Sequence, residues 1–182
     1  MACLMKSASL PPVPCPSRFH KGVKIGVPIC EDVWTPNVVA HLAKAGAEIF
    51  LVPNGSPFEA DKGGLRRQLI ADRVGETGAP MIYCNEVGGQ DELVFDGGSF
   101  GLNGDGSLGV ALPCFAEGVV TSNWIKGDDD TWACASDAPK AAHPTGLDAI
   151  YQTLVLGLRD YVNKNGFPGV VIGMSGGIDS AL

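Results

Sequence analysis

The sequence predicts an α/β fold with neighbouring parallel strands, and three observations carry that expectation. Short apolar runs at 24–29, 48–52 and 81–84 read as strands. Between them, 36–45 and 62–77 repeat their apolar residues with a helical period. A strand–helix–strand–helix–strand order implies right-handed crossovers, which lay the strands side by side and parallel. From about residue 93 the apolar runs shorten and turn residues multiply, so a meander of short strands should complete this part.

Residues 1–22 hold proline, serine and lysine without a period and are expected to be irregular. The run 24–29 is the first strand and ends at Cys30. Thr35-Pro36 starts a helix, with a hydroxyl at the N-cap and proline at the first helical position. Val38, Val39, Leu42 and Ala45 form its apolar face, and Gly46 stops it. The strand 48–52 runs into a turn-rich Pro-Asn-Gly-Ser-Pro at 53–57. The helix 62–77 should turn Leu65, Leu69, Ile70 and Val74 inward. After the strand 81–84, two further strands at 99–103 and 107–112 flank Asn103-Gly-Asp-Gly106, a hairpin signal. Residues 115–121 read as one more strand.

Residues 122–144 have no period and read as a linker. The run Asp128-Asp-Asp130 within them is a solvated acidic stretch or, on the alternative reading, a metal site. Thr145-Gly-Leu-Asp148 opens an amphipathic helix, with Asp148 in the reciprocal capping position. Leu147, Ile150, Tyr151, Leu154, Val155, Leu158, Tyr161 and Val162 fall on one stripe of it, and Asn165-Gly166 ends it. The run 169–174 then reads as a buried parallel strand.

Bulk composition excludes some classes. With 182 residues, 45% apolar and 18% charged, the chain can bury one ordinary core. Acidic residues outnumber basic ones by 20 to 13, which argues against a nucleic-acid or anionic-membrane surface. No pair of the six cysteines has C-x-x-C spacing, so no zinc ribbon or thioredoxin-type motif is implied. The start carries no signal-peptide pattern, and no apolar run approaches the roughly 20 residues that span a bilayer. A reduced, cytoplasmic location is expected.

The motif Ser175-Gly-Gly-Ile-Asp-Ser180 follows the last apolar run. Its glycines let backbone N–H groups approach an anion closely, and its two hydroxyls can donate to phosphate oxygens. Asp179 is placed to hold magnesium beside them. No Gly-Lys-Ser/Thr is present, so this is not a Walker loop. The motif resembles the pyrophosphate loop of the ATP pyrophosphatase family, whose members adenylate a substrate and release pyrophosphate. That resemblance implies that Ser175, Gly176, Gly177 and Ser180 cradle pyrophosphate and that Asp179 binds Mg2+. The helix that should follow the loop, with the rest of that domain, is expected to be absent.

Cys30 stands where a strand ends, in Gly26-Val-Pro-Ile-Cys-Glu-Asp-Val-Trp34. The carboxyl end of a parallel strand opens at the mouth of an α/β layer. A thiol there can attack a carbonyl if a base and oxyanion donors surround it. Spacing alone favours a buried structural cysteine.

Three segments together settle that choice: Val27-Pro-Ile-Cys-Glu-Asp-Val-Trp34, Val52-Pro-Asn-Gly-Ser-Pro-Phe58, and Tyr83-Cys-Asn-Glu-Val-Gly-Gly-Gln-Asp-Glu-Leu-Val-Phe-Asp-Gly97. They resemble the glutamine amidase domain of bacterial NAD synthetases, part of the nitrilase (carbon–nitrogen hydrolase) superfamily. The resemblance implies the later part of an α-β-β-α sandwich over 23–121. A linker over 122–144 then leads to the first helix, strand and pyrophosphate loop of an adenine-nucleotide α-hydrolase-like domain over 145–182. It makes the chain an expected internal fragment of such an enzyme.

By the same resemblance Cys30 is the nucleophile, and Ser56 and Lys62 match positions that contact the glutamine α-carboxylate region. Lys62 also fits a solvated lysine at a helix start. Glu86, Gln90, Asp91 and Glu92 read as a hydrogen-bonded turn rather than as chemistry. His20, His41 and His143 fit no motif of the family. Family members use an upstream glutamate base and lysine, yet no Asp or Glu precedes Cys30 here, and Lys6, Lys21 and Lys24 lie in no family motif.

The implied reaction is ATP-dependent amidation of deamido-NAD with ammonia from glutamine. ATP and Mg2+ serve the complete enzyme, which is expected to be a homo-oligomer without nucleic-acid or membrane partners, and this chain alone is expected to be inactive. Two other readings stand beside it. A plain nitrilase-type amidohydrolase leaves 175–180 unexplained, and a non-catalytic chain would only pack against partners.

Overall fold

The computed structural model describes residues 18–20, 22–60, 62–135 and 137–181. Cys3, Cys15 and Lys6 lie outside them, as does most of the segment expected to be irregular. Its end is regular: β1 (Arg18–His20) pairs antiparallel with β2 (Val23–Gly26).

The expected crossover unit follows. After β2 come α1 (Pro36–Lys44), β3 (Ile49–Asn54), α2 (Lys62–Thr77) and β4 (Met81–Asn85). β2, β3 and β4 are parallel neighbours. β5 (Val87–Gln90) and β6 (Leu93–Asp96) form a separate hairpin where only a turn was expected. The chain then returns to the main sheet as β7 (Phe100–Leu102) and β8 (Leu108–Ala111), giving the order β1-β2-β3-β4-β7-β8.

One face of this sheet carries the core. Phe50 and Val52 of β3, Met81 and Tyr83 of β4, and Phe100 and Leu102 of β7 are buried together with Val39 and Leu42 of α1 and Ile70 and Val74 of α2. Strand alternation sends Leu51, which pairs in register with Ile82, to the opposite face, and Leu51 is 38% exposed there. Gly26 has to be a glycine, since a Cβ there would sit 2.8 Å from the Phe50 ring. α1 stops as expected at Gly46, whose φ of +91° only glycine adopts freely.

Several elements depart from expectation. Thr35 and Thr145 occupy N-cap positions, but neither side chain makes a capping bond. Asp148 accepts from Gln152 instead of closing a reciprocal cap. Residues 115–121 form no strand; after the Gly97–Cys114 bridge they find no partner for a ladder. The stretch 122–144 is not without structure: β9 (Trp124–Lys126) and β10 (Trp132–Cys134) pair as a hairpin. The hairpin docks through Glu48, which accepts from Lys126 Nζ at 3.0 Å and Trp132 Nε1 at 3.3 Å. Strands of three residues give periodicity too little to detect.

α3 (Gly146–Lys164) forms with its apolar stripe turned outward. Leu147, Tyr151, Leu154, Leu158 and Tyr161 are exposed, whereas Ala149 and Leu156 are buried. The helix packs on β5 and β6 through small and charged residues instead. A Cβ on Gly157 would meet Val94 at 2.9 Å, so the close approach itself excludes a large side chain. The run 169–174 is not a buried strand: no described strand pairs with it, and Val171 is fully exposed. An apolar run of strand length becomes a strand only where a neighbour takes its N–H and C=O groups. The expected absence of a helix after 175–180 is corrected in part, because α4 (Ile178–Ala181) begins inside the motif.

Candidate functional site

The carboxyl ends of β2, β3 and β4 each hand the chain to a loop carrying one polar group: Cys30, Ser56 and Glu86. Cys30 opens a 3-10 turn, Cys30–Val33, and has φ +50°. That left-handed conformation costs a non-glycine residue about 1–3 kcal/mol. Asp91, Phe115 and Asp130 share it; Asp91 and Asp130 sit in the turns of the β5–β6 and β9–β10 hairpins, and Phe115 follows the Gly97–Cys114 bridge. The strain at Cys30 is held from both sides. Pro28 and Val33 are fully buried, and Asp32 accepts the Ile29 N–H at 2.8 Å. The result is a half-buried free thiol at the sheet's mouth. The other described thiols differ: Cys84 is exposed, burial pushes the Cys114 thiol up to about 11, and burial also raises the Cys134 thiol, which makes these two poorer nucleophiles.

Ser56 belongs to a buried polar network. Its N–H donates to Asn85 Oδ1 at 2.9 Å, and Asn85 Nδ2 donates back to the Ser56 carbonyl at 3.2 Å and to Gly97 O at 3.1 Å. Arg66 uses every arm of its guanidinium. Nε donates to Ser56 Oγ at 3.1 Å, Nη2 to Ser56 O and Pro57 O at 2.8 Å each, and Nη1 to both oxygens of Asp96 at 2.8 Å. Burial raises the Tyr83 phenol pKa; Arg66 and a hydrogen bond from Ser56 oppose this, while the nearby Cys30 and Asp96 add to it. The Asn54 amide meets the Tyr83 hydroxyl from the other side.

Lys62 is not a solvated lysine. Its side chain is only 14% exposed and pairs with Glu59 at 2.5 Å. It lines a recess of about 50 Å³ together with Trp34, Ser56, Leu65, Arg66 and Tyr83. Ser56 and Lys62 therefore meet at one recess, beside Tyr83. Glu86 lies against the same loop, its Oε2 3.2 Å from where a Gly55 Cβ would stand. Gln90, Asp91 and Glu92 form the exposed β5–β6 turn, as the hydrogen-bonded-turn reading has it.

Sequence reasoning missed Arg66, Asp96 and Asn85. The signal that could have found them is a shift of the α2 stripe: Arg66, Ile70, Arg73 and Val74 face inward, whereas Leu65 is 56% exposed.

The 175–180 loop is a separate, exposed element. Gly176 has φ +83°. Ser180 Oγ takes the Ser175 N–H at 3.2 Å and meets Ser175 Oγ at 3.0 Å, while Gly177 N donates to Ser175 Oγ at 3.3 Å. These donors fit phosphate oxygens once they exchange their internal bonds. Among the described residues no group of three His, Cys, Asp or Glu side chains could hold a metal ion. Asp179 therefore fits magnesium only as one carboxylate completed by phosphate and water, the usual manner for that ion. No described helix is long and apolar enough to cross a membrane.

Residues 5–124 match the carbon–nitrogen hydrolase family, and residues 150–182 match NAD synthase. The chain is 52% identical over 171 residues to a glutamine-dependent NAD(+) synthetase of Rhodobacter capsulatus, covering 94% of this chain and 30% of that protein. The structure of glutamine-dependent NAD+ synthetase from Acinetobacter baumannii, in complex with ADP, superposes with a TM-score of 0.81 at 38% identity. That match covers 90% of this chain and 30% of the other. An amidase of the nitrilase superfamily from Nesterenkonia matches with a TM-score of 0.53 at 25% identity, over 67% of this chain and 41% of that one. The chain thus spans about 30% of the length of the synthetases it matches.

Proposed function

Since this chain belongs to the carbon–nitrogen hydrolase family and continues into the start of an NAD synthase domain, we propose that it supplies the nucleophile and the pyrophosphate loop of a glutamine-dependent NAD synthetase. The Cys30 sulfur attacks the carbon of the glutamine side-chain amide and the C–N bond breaks. The nitrogen leaves as ammonia with the thiol proton, and water cleaves the glutamyl thioester to restore the thiol. Ser56 and Lys62 hold the α-carboxylate end of glutamine. Ser175, Gly176, Gly177 and Ser180 receive phosphate oxygens, with Asp179 beside them as a magnesium ligand. The nicotinate carboxylate of deamido-NAD attacks the α-phosphorus of ATP and pyrophosphate leaves; the released ammonia then attacks the acyl carbon and AMP leaves, while a magnesium ion held by Asp179 would offset the phosphate charge.

The observation that carries this reading is the strained, half-buried Cys30 at the mouth of a nitrilase-type sheet, on one chain with a phosphate-type loop. A plain amidohydrolase accounts for the first feature and not the second. Among the described residues no carboxylate hydrogen-bonds to Cys30, so the base that activates it comes from elsewhere in a working enzyme.

The test is a chimaera in which these residues replace the matching segment of the Rhodobacter relative. Cys30→Ala should abolish NAD formation from glutamine and spare formation from added ammonia. Glutamine-driven synthesis surviving that substitution would overturn the nucleophile assignment.

A further inference from the structure

We infer that Arg66, anchored by Asp96, is a positioning residue that turns the Ser56 hydroxyl into a donor for the carboxylate of the bound amino acid. The inference rests on the reading of Ser56 as a glutamine contact. A guanidinium has only donors. Because Arg66 Nε donates to Ser56 Oγ at 3.1 Å, the Ser56 hydrogen cannot point back at Arg66 and has to turn away from it. The recess that Ser56 lines together with Arg66, Lys62 and Tyr83 is where that hydrogen can turn, with the Tyr83 oxygen as its partner until a carboxylate replaces it.

Charge in the recess favours the same ligand. Arg66 is neutralised by Asp96 through two bonds of 2.8 Å, both side chains about one-tenth exposed. Among the described residues Lys62 is held only by Glu59, whose side chain is 67% exposed. A pair open to water on one side is worth little, so an incoming carboxylate can take the place of Glu59 on Lys62. Ser56 O–H and Lys62 Nζ then converge on one anion, with the buried ion pair behind them fixing the direction of the hydroxyl. Arg66 also grips Ser56 O and Pro57 O, which holds the loop that carries Ser56.

A double-mutant cycle in the chimaera separates this role from a purely structural one. Arg66→Lys keeps a charge for Asp96 and loses the Nε donor. It should raise KM for glutamine about 10-fold or more, the scale of one hydrogen bond to a charged group, with kcat within about threefold. Ser56→Ala should raise KM by a similar factor. Because Arg66 acts through Ser56, the two substitutions together should raise KM no further than either alone. Asp96→Asn, paired with Ser56→Ala in the same way, serves if Arg66→Lys does not fold. Ammonia-driven synthesis measured on each preparation reports the intact synthetase half. Multiplying effects, or a fall in kcat at constant KM, would overturn the inference while leaving the proposed reaction standing. Glutamine-driven synthesis by Cys30→Ala would overturn the reaction itself.

Discussion

Asp160 accepts the backbone N–H of Gly89 at 2.7 Å, across 71 positions of sequence. Lys164, one turn further along α3, donates to the carbonyl of the same Gly89 at 2.6 Å. β5 has a strand partner on one side only, β6, so α3 satisfies the free edge with side chains. The helix that leads to the phosphate-type loop is thereby fastened to the hairpin that follows Asn85 and Glu86. Asp160→Ala should remove about 1.5–3 kcal/mol from this docking, the worth of a hydrogen bond to a charged group. Amide exchange at Gly89 should accelerate while exchange in β3 and β4 stays slow. Unchanged protection at Gly89 would show that the contact does not hold the helix.

Gly157 tests the same joint from the steric side. In a free helix, Gly→Ala adds roughly 1 kcal/mol of helix propensity. Here the new Cβ would stand 2.9 Å from Val94 Cγ2, closer than carbon atoms approach. Gly157→Ala should therefore raise the helicity of an isolated 146–164 peptide and loosen α3 from β5–β6 in the chain. A variant that gains helicity and keeps Gly89 protected would refute the close-packing argument.

The parallel crossover unit was legible because Val39, Leu42, Ile70 and Val74 repeat with a helical period and their strands do not. Cys30 and the 175–180 loop were legible as motifs. The polar network was not, because a hydrophobic period counts apolar residues, and one position of rotation decides between Leu65 and Arg66. Arg66 won the inward place because Asp96, Ser56 O and Pro57 O offer its donors a full set of acceptors. α3 shows the converse: its apolar stripe predicts burial, but Gly157, Asp160 and Lys164 fit the β5–β6 hairpin better. Sequence periodicity measures how amphipathic a helix is and says nothing about which neighbour is present.

Docking of the β9–β10 hairpin should depend on pH. The hydrogen bond from Lys126, then the Lys24 N–H, then Trp132, hold the Glu48 carboxyl below the usual carboxylate range. A carboxyl depressed by folding contributes stability above its unfolded pKa and loses it as pH falls through the folded value. The hairpin should accordingly loosen on acidification below about pH 4.5. Glu48→Gln should reproduce that loosening at neutral pH, read as faster tryptic cleavage after Lys126. Equal cleavage of the two proteins would show that Glu48 does not anchor the hairpin.

The 182-residue polypeptide by itself should not hydrolyse glutamine. Cys30 is a half-buried free thiol, but among the described residues no carboxylate is bonded to it, and the sequence before it holds neither Asp nor Glu. Without a base the thiol proton has no acceptor during attack. Ammonia release from glutamine should equal that of the Cys30→Ala protein. Turnover above that control would mean that a residue on this chain, with Glu86 the first to examine, serves as the base.

Asp179 and Cys30 should separate the two halves of the proposed reaction. In the proposed reaction Cys30 only delivers nitrogen, so its loss should be bypassed by added ammonia. Asp179 stands in the first turn of α4, next in sequence to Ser180, and among the described residues no metal-binding group of three side chains includes it. If it holds the magnesium that offsets phosphate charge, its role is the same whichever nitrogen source is used. Asp179→Ala in the chimaera should therefore lose synthesis from glutamine and from ammonia alike. Asp179→Asn, which keeps the shape and removes the charge, should fail in the same way. Among the described residues the loop bonds only within itself, and it is exposed, so neither substitution should disturb the sheet that carries Cys30. A plain amidohydrolase would scarcely register the change at Asp179. Full ammonia-driven synthesis by Asp179→Ala would remove the phosphate-loop assignment and leave the amidase half to stand alone.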